Sequence, residues 1–284
     1  MVYSTIPLVM NLLYDLNKFD IYSGNHTSLN SQYRYKFALP YERVDDPKGW
    51  TVNIFQRYWY HSITISVIYF AVIKGIQKSM ENKKPFVLKT PLILWNGSLA
   101  IFSIMGVMRF SEVDFIYSLV NHGWYNAICY SCHPNDVAAF WSLLFAISKI
   151  VELGDTLFIV LRKKPLIFLH YYHHAAVLIY TVHSGAEHTA AGRAFISMNY
   201  LAHSCMYSYY AIVAYGIRMP RWIFLMLQLI PIRTTKISLF LLIYRCQQSM
   251  ANLYLAFTIY ITFAVLFFHF FYKTYIAAPK PKKE

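Results

Sequence analysis

Charged side chains are scarce in this sequence. They make up 14% of its 284 residues, against about 25% in a typical soluble domain. In their place, 57% of the residues are hydrophobic and 18% aromatic, which argues against a water-soluble globule. The apolar residues come in blocks of about 20, enough to cross roughly 30 Å of hydrocarbon as a helix. Short alternating runs of the kind barrel strands need are missing, so the expected class is all-α, a polytopic helical membrane protein. Acidic residues are scarcer still, 13 against 26 Lys and Arg, for a formal net charge of +13. The basic residues gather in short clusters between apolar blocks. That pattern points to cytoplasmic loops, anionic headgroups or phosphorylated substrates, and away from nucleic acid. Four cysteines, Cys129, Cys132, Cys205 and Cys246, are too few for a disulfide scaffold. Met1 to Phe19 has neither a basic leader nor a small-residue cleavage site, so no cleavable signal peptide is expected.

Against this background one stretch stands out. His170, His173 and His174 fall at i, i+3 and i+4, so on a helix they share a face. The surrounding run, Pro165 to Tyr180, is almost entirely apolar or aromatic. Three imidazoles on one turn in such surroundings are costly unless they have partners or a task. The cluster marks a site.

Taken in order, residues 1–56 read as a mixed, polar segment with loop-forming stretches, and Asn25-His26-Thr27 is a glycosylation sequon. A second sequon, Asn96-Gly97-Ser98, falls inside an apolar block and is not expected to carry a glycan. Candidate spans follow at about 59–76, 92–110, 137–161, 165–182, 194–215, 222–244 and 253–275. A loop without Lys or Arg is expected between Ser111 and Asp136. Placing the 78–89, 162–164, 218–221 and C-terminal segments on one side collects thirteen of the 26 basic residues there. The positive-inside rule then puts the C-terminus in the cytosol and, with seven spans, the N-terminus and Asn25 in a lumen. Three units result: a lumenal segment 1–56, a seven-helix domain 57–275 and a basic cytosolic tail 276–284. Lys280 and Lys282 in that tail resemble a dilysine retrieval signal of the endoplasmic reticulum, or form a plain basic membrane-edge tail.

Two further polar sets lie in the spans. Lys149, Glu152, Asp155 and Thr156 form one stripe of the third, in which Lys149 and Glu152 can pair; a structural ion-pair ladder would look the same. Asn199, His203, Tyr207 and Tyr210 share a face of the fifth, which alone could be an interhelical hydrogen-bond seam.

Lys149-x-x-Glu152-x-x-Asp155-Thr156, then Leu161 to His170-x-x-His173-His174, then Asn199-x-x-x-His203-x-x-Met206-Tyr207-x-Tyr209-Tyr210 resemble the ordered motifs of the ELO family. Those are membrane fatty-acid elongases acting as 3-ketoacyl-CoA synthases, and the resemblance runs from about residue 37 to the end. Leu166-Ile-Phe-Leu-His-Tyr-Tyr-His-His174 is more similar to the branch favouring saturated and monounsaturated chains. The resemblance implies seven helices enclosing an acyl-CoA tunnel in the endoplasmic reticulum membrane. It implies malonyl-CoA and acyl-CoA as substrates, no cofactor and no metal. Membrane lipids and the other enzymes of the elongation cycle are the implied partners, and a homodimer is compatible with it. One departure concerns the sixth span, where Gln228 remains but Pro231, Arg233 and Lys236 interrupt the usual Thr/Gln-rich segment.

The expected chemistry places His173 as a nucleophile that takes the acyl group, with His170 and His174 orienting it or moving protons. Asn199 and His203 would hold the malonyl thioester and its enolate oxygen. Lys149, Glu152 and Asp155 would fix the imidazoles. Tyr207, Tyr210, Thr156 and Gln228 are expected along the substrate. Arg162, Lys163, Lys164, Arg218 and Arg221 are expected at the CoA phosphates, although topology alone explains such cations.

Three other readings compete. A di-iron desaturase or hydroxylase also uses HxxHH but needs about eight converging imidazoles, and a seven-span receptor or transporter would show no turnover. Cys129-x-x-Cys132-His133 matches a c-type haem attachment site; a disulfide is the alternative, with Cys246 on the same face by topology.

Overall fold

The computed structural model of the chain describes residues 14–19, 38–42, 46–111, 116, 118–129, 137–190, 192–220, 246 and 248–273. Among them all regular structure is helical. In chain order the helices are α1 (His61–Met80), α2 (Lys89–Phe110), α3 (Ser118–Cys129), α4 (Val137–Val151), α5 (Gly154–Leu161), α6 (Phe168–Glu187), α7 (Gly192–Tyr215) and α8 (Met250–Phe271). α1, α2 and α8 are each long and apolar enough to cross a membrane. They expose Val67, Leu94, Ile101 and Val265 at 61–68%, as a lipid-facing wall requires.

Helix ends carry local signals. Ser249 caps α8, its hydroxyl accepting from the Asn252 N–H at 3.1 Å. α5 ends with Lys163 in the left-handed region and the Lys164 N–H bonded back to the Ile159 carbonyl, just before Pro165. α6 ends on left-handed His188.

Contacts between these ends fix the course of the chain. The Lys163 ammonium donates to the Glu81 and Lys83 carbonyls, and the Phe86 N–H to Leu161. The end of α5 therefore sits beside the α1–α2 turn. This is the basic end of the bundle. At the opposite, cap end, Gln56 bonds Ala186 at the end of α6, and the Ser249 hydroxyl bonds Glu187 at 2.9 Å. Arg109 at the end of α2 pairs there with Glu42, which also accepts from the Trp141 indole of α4. α2 and α7 pack antiparallel, with Tyr200 across Gly106, where a Cβ would come within 2.3 Å of the ring. The main core lies at this crossing: Phe110, Val137, Trp141, Phe145 and Tyr200.

Two expectations need correction. The third span is not one helix: it breaks at Glu152–Leu153, where bonds shorten to i→i+3 (Leu153 N–H to Ile150, Asp155 N–H to Glu152). The stretch expected as a loop holds α3, kinked at Gly123 with φ 79°. Residues 47–56, in the segment read as mixed and polar, form helical turns leading into α1. The sixth span lies outside the described residues, and with it Gln228, Arg221, Pro231, Arg233 and Lys236; so do Asn25 and the tail. Asn96 is 5% exposed inside α2, out of reach of glycosylation. Cys129 is joined to Cys246, which removes its thiol from any haem attachment. Cys132 and His133 lie outside the described residues.

Candidate active site

The break in the third span sorts its polar residues onto different neighbours. On the α4 side, the Lys149 ammonium donates to Glu152 Oε1 at 2.7 Å and to Asn199 Oδ1 at 2.9 Å. It also lies 4.2 Å over the Phe145 ring. Glu152 accepts in addition from the Ser148 hydroxyl at 3.1 Å and stands 3.4 Å from His203 Nδ1. Lys149 and Glu152 are 2% and 4% exposed, a depth at which charges persist only when paired. The expected i, i+3 pair is present and reaches across to α7.

Beyond the break, on α5, the Asp155 carboxylate accepts from the Trp95 indole at 2.5 Å and the Tyr207 hydroxyl at 2.6 Å, and lies 4.0 Å from His174 Nε2. Thr156, fully buried, links the Tyr69 hydroxyl at 2.5 Å to His170 Nε2 at 3.0 Å. Gly154 makes the approach of Trp95 feasible, since a Cβ there would fall 2.7 Å from the ring. Trp95 and Tyr69 carried no motif signal: an aromatic residue in an apolar span reads as lipid-facing or core.

The three histidines of α6 gather as their spacing implies, the His170 and His174 rings 4.6 Å apart and His173 and His174 5.8 Å apart. Among the described residues neither His173 nor His174 has a hydrogen bond: the half-buried His173 ring lies 4.8 Å from Phe263 of α8, whereas His174 faces the Asp155 carboxylate at 4.0 Å. No group of three or more His, Cys, Asp or Glu among the described residues is arranged to hold a metal ion.

One donor and one acceptor fix the orientation of their partners. An ammonium can only donate, so Asn199 must turn its oxygen to Lys149 and its NH2 outward. A carboxylate can only accept, so in neutral His203 the proton belongs on Nδ1, beside Glu152, leaving Nε2 as acceptor.

The remaining expected residues scatter. Tyr210 packs with Trp95 and Leu99 beside Tyr207. Arg162 is half-buried at the basic end, with Lys164 and Arg218 exposed. Lys163, expected to await a phosphate, ties two turns together through the carbonyls of Glu81 and Lys83. Thus Lys149, Glu152, Asp155, Thr156, His170, His173, His174, Asn199, His203 and Tyr207 form one polar cluster bridging α4–α5, α6 and α7.

Residues 54–283 match the family described as ELO: GNS1/SUR4 family. The chain is 58% identical to "Putative fatty acid elongase 4" of Caenorhabditis elegans over 282 residues, 95% of this chain and 96% of that one. It is 42% identical to "Very long chain fatty acid elongase 6" of Drosophila melanogaster over 74% of this chain and 70% of that one. It is 38% identical to "Very long chain fatty acid elongase 3" of Homo sapiens over 80% and 87%.

Proposed function

The chain belongs to the ELO: GNS1/SUR4 family, and from that membership we propose how it condenses acyl and malonyl units in fatty-acid elongation. It is an acyltransferase of membrane lipid biosynthesis: a malonyl-CoA two-carbon unit joins an acyl-CoA, with loss of CO2 and CoA, to give 3-oxoacyl-CoA.

The observation that carries the mechanism is the state of the imidazoles. His170 is held by Thr156 and His174 Nε2 stands 4.0 Å from the Asp155 carboxylate, while the His173 ring packs on Phe263 with no hydrogen bond or ion pair to a described residue. A neutral imidazole with an unengaged lone pair is a nucleophile. His173 attacks the acyl thioester carbonyl; the carbon–sulfur bond breaks and CoA leaves with the proton that the acyl-imidazolium sheds. Malonyl-CoA then loses CO2, and the electrons of that bond form an enolate. The NH2 of Asn199 donates to the enolate oxygen, and the enolate carbon attacks the acyl-imidazole. The carbon–nitrogen bond breaks, and the departing imidazolide takes up one proton from water, relayed through His174 or His170. Lys149, Glu152 and Asp155 position these groups.

Seven spans enclosing an acyl tunnel suit the alternating course of the described helices, with the apolar 222–244 stretch as the sixth. The basic end faces the cytosol, where Arg162, Lys164, Arg218 and Arg221 meet CoA phosphates. Segment 1–56, with a glycan on Asn25, is lumenal, and the tail 276–284 is cytosolic at the endoplasmic reticulum. Tyr207, Tyr210, Thr156 and Gln228 line the substrate path, no cofactor takes part, and saturated or monounsaturated chains are favoured. The other enzymes of the elongation cycle are its partners.

His173→Ala tests the nucleophile. With labelled malonyl-CoA and an acyl-CoA panel, 3-oxoacyl-CoA output is expected to fall by ~10³-fold or more, and acyl-CoA alone should leave no acyl adduct. Near-native output from the inserted variant would sink the role.

A further inference from the structure

Of the three α6 imidazoles, the hydrogen-bonded one is held from outside its own helix. His170 Nε2 lies 3.0 Å from the Thr156 hydroxyl of α5, and that hydroxyl lies 2.5 Å from the Tyr69 hydroxyl of α1. α1 packs on both α5 and α6, so the three groups stand where these helices meet. Tyr69 belongs to none of the motifs that mark the site in the sequence.

Thr156 spends its hydroxyl in a different way from its counterparts. Ser66, Ser142 and Thr258 each bond back to the carbonyl four residues earlier in their own helix. Thr156 does not. The carbonyl four residues before it belongs to Glu152, at the break in the third span, and accepts from the Asp155 N–H. The hydroxyl is left for other helices, and among the described residues its partners are Tyr69 and His170. Thr156 is fully buried, and Tyr69 is 8% exposed, packed with Ile73, Val160 and Leu166.

The direction of these bonds follows from their protons. Tyr69 and Thr156 carry one hydroxyl proton each. Among the described residues the Tyr69 hydroxyl has no hydrogen-bond partner except Thr156. If Thr156 donated to Tyr69, the phenolic proton would be buried without an acceptor, at the full desolvation cost of that group. Tyr69 therefore donates to Thr156, and Thr156 donates to His170 Nε2. Neutral His170 then carries its own proton on Nδ1.

We propose that Tyr69 is a positioning residue of the condensing reaction: through Thr156 it fixes the ring and tautomer of His170, so that His170 donates from Nδ1. The inference rests on the condensing activity above, in which His170 or His174 relays a proton to the departing imidazolide. A relay needs its donor nitrogen within reach of the acceptor. An unanchored imidazole spreads over two tautomers and several ring orientations, and each unproductive one lowers the rate. Tyr69 touches no reacting atom and acts two hydrogen bonds away.

The test uses the full-length protein in microsomes with labelled malonyl-CoA and a saturated acyl-CoA, with kcat and KM taken per inserted molecule. Tyr69→Phe keeps the ring and its packing and removes only the hydroxyl. It is expected to lower kcat by about 10- to 100-fold, with KM for both substrates within about 2-fold of native. Thr156→Ser keeps a hydroxyl and should stay near native, whereas Thr156→Val should match Tyr69→Phe. The double variant Tyr69→Phe with Thr156→Val should be no slower than the slower single, because both break the same link. With isotope-labelled histidine nitrogens in purified protein, the His170 resonances (those lost in His170→Gln) should change from one Nδ1–H form to a tautomer mixture in Tyr69→Phe. Native kcat or unchanged His170 resonances in Tyr69→Phe, a raised KM with kcat kept, or multiplying losses in the double variant would each overturn the role. So would loss of inserted protein in place of turnover, which would make the contact purely structural. Absence of labelled product from the native protein would instead overturn the condensing activity itself.

Discussion

The cap end and the middle of the bundle bury charge in different ways. At the cap end, both Glu42 oxygens are occupied, by Arg109, the Trp141 indole and the Leu39 N–H. Glu187 likewise accepts from the Ser249 hydroxyl and N–H, while Asn252 spans His183 and Ser184. Every one of these groups is used in holding one helix to another. In the middle, Lys149, Glu152, Asp155 and Thr156 are equally engaged, but of the three α6 imidazoles beside them only His170 is hydrogen-bonded, to Thr156. Satisfied polar networks in apolar surroundings rigidify. The middle of the bundle leaves His173 and His174 outside such a network.

That contrast predicts different outcomes from similar lesions. The largest is expected from Lys149→Met, which leaves the Glu152 carboxylate buried without its cation. Breaking such a pair costs about 3–5 kcal/mol, and condensing activity per folded molecule should fall with it, because Asn199 loses its anchor. Thermal unfolding in micelles beside single-turnover assays would read both; full activity in the folded fraction would erase the distinction between the regions. Next comes Glu42→Ala, which strips Arg109 and Trp141 of an acceptor and is expected to cost on the order of 2 kcal/mol. Activity per folded molecule should stay native, since nothing in that cluster approaches the histidines. A specific loss of turnover would show the cap end to be part of the reaction.

The smallest effect is a pH dependence. Burial pushes the Glu42 carboxyl up, but the Arg109, Leu39 and Trp141 hydrogen bonds and the Arg109 charge outweigh it and hold the group at about 2, below the ordinary 4.5. A depressed carboxylate stabilises the folded state fully above its unfolded value, and that contribution is lost as pH falls from about 4.5 toward about 2. Between roughly pH 6 and pH 3 the native protein should therefore lose more thermal stability than Glu42→Gln. Parallel losses would mean that the pairing does not operate in solution.

Much of the site was legible because its signals are local. The i, i+3, i+4 histidines, the Lys149–Glu152 pair and the Asn199–His203–Tyr207 stripe each follow from helical periodicity, and each shares a face as expected. The third span misled for the same reason: a continuous apolar run reads as a continuous helix, and nothing local marks Glu152–Leu153 as a break. α3 was read as a loop because its polar composition hides its short helical segments. Glu42 and Arg109, 67 residues apart, gave no sign that they would pair.

Composition and periodicity alone decided that this chain lies in a membrane as helices and that one of them carries three imidazoles on one face, since both depend on neighbours within a few turns. That only His170 of the three α6 imidazoles is hydrogen-bonded, that Trp95 and Tyr207 hold Asp155, and that Glu42 pairs with Arg109 were decided by packing. Those properties arise only when helices distant in sequence meet, and no spacing along the chain encodes the distance between them.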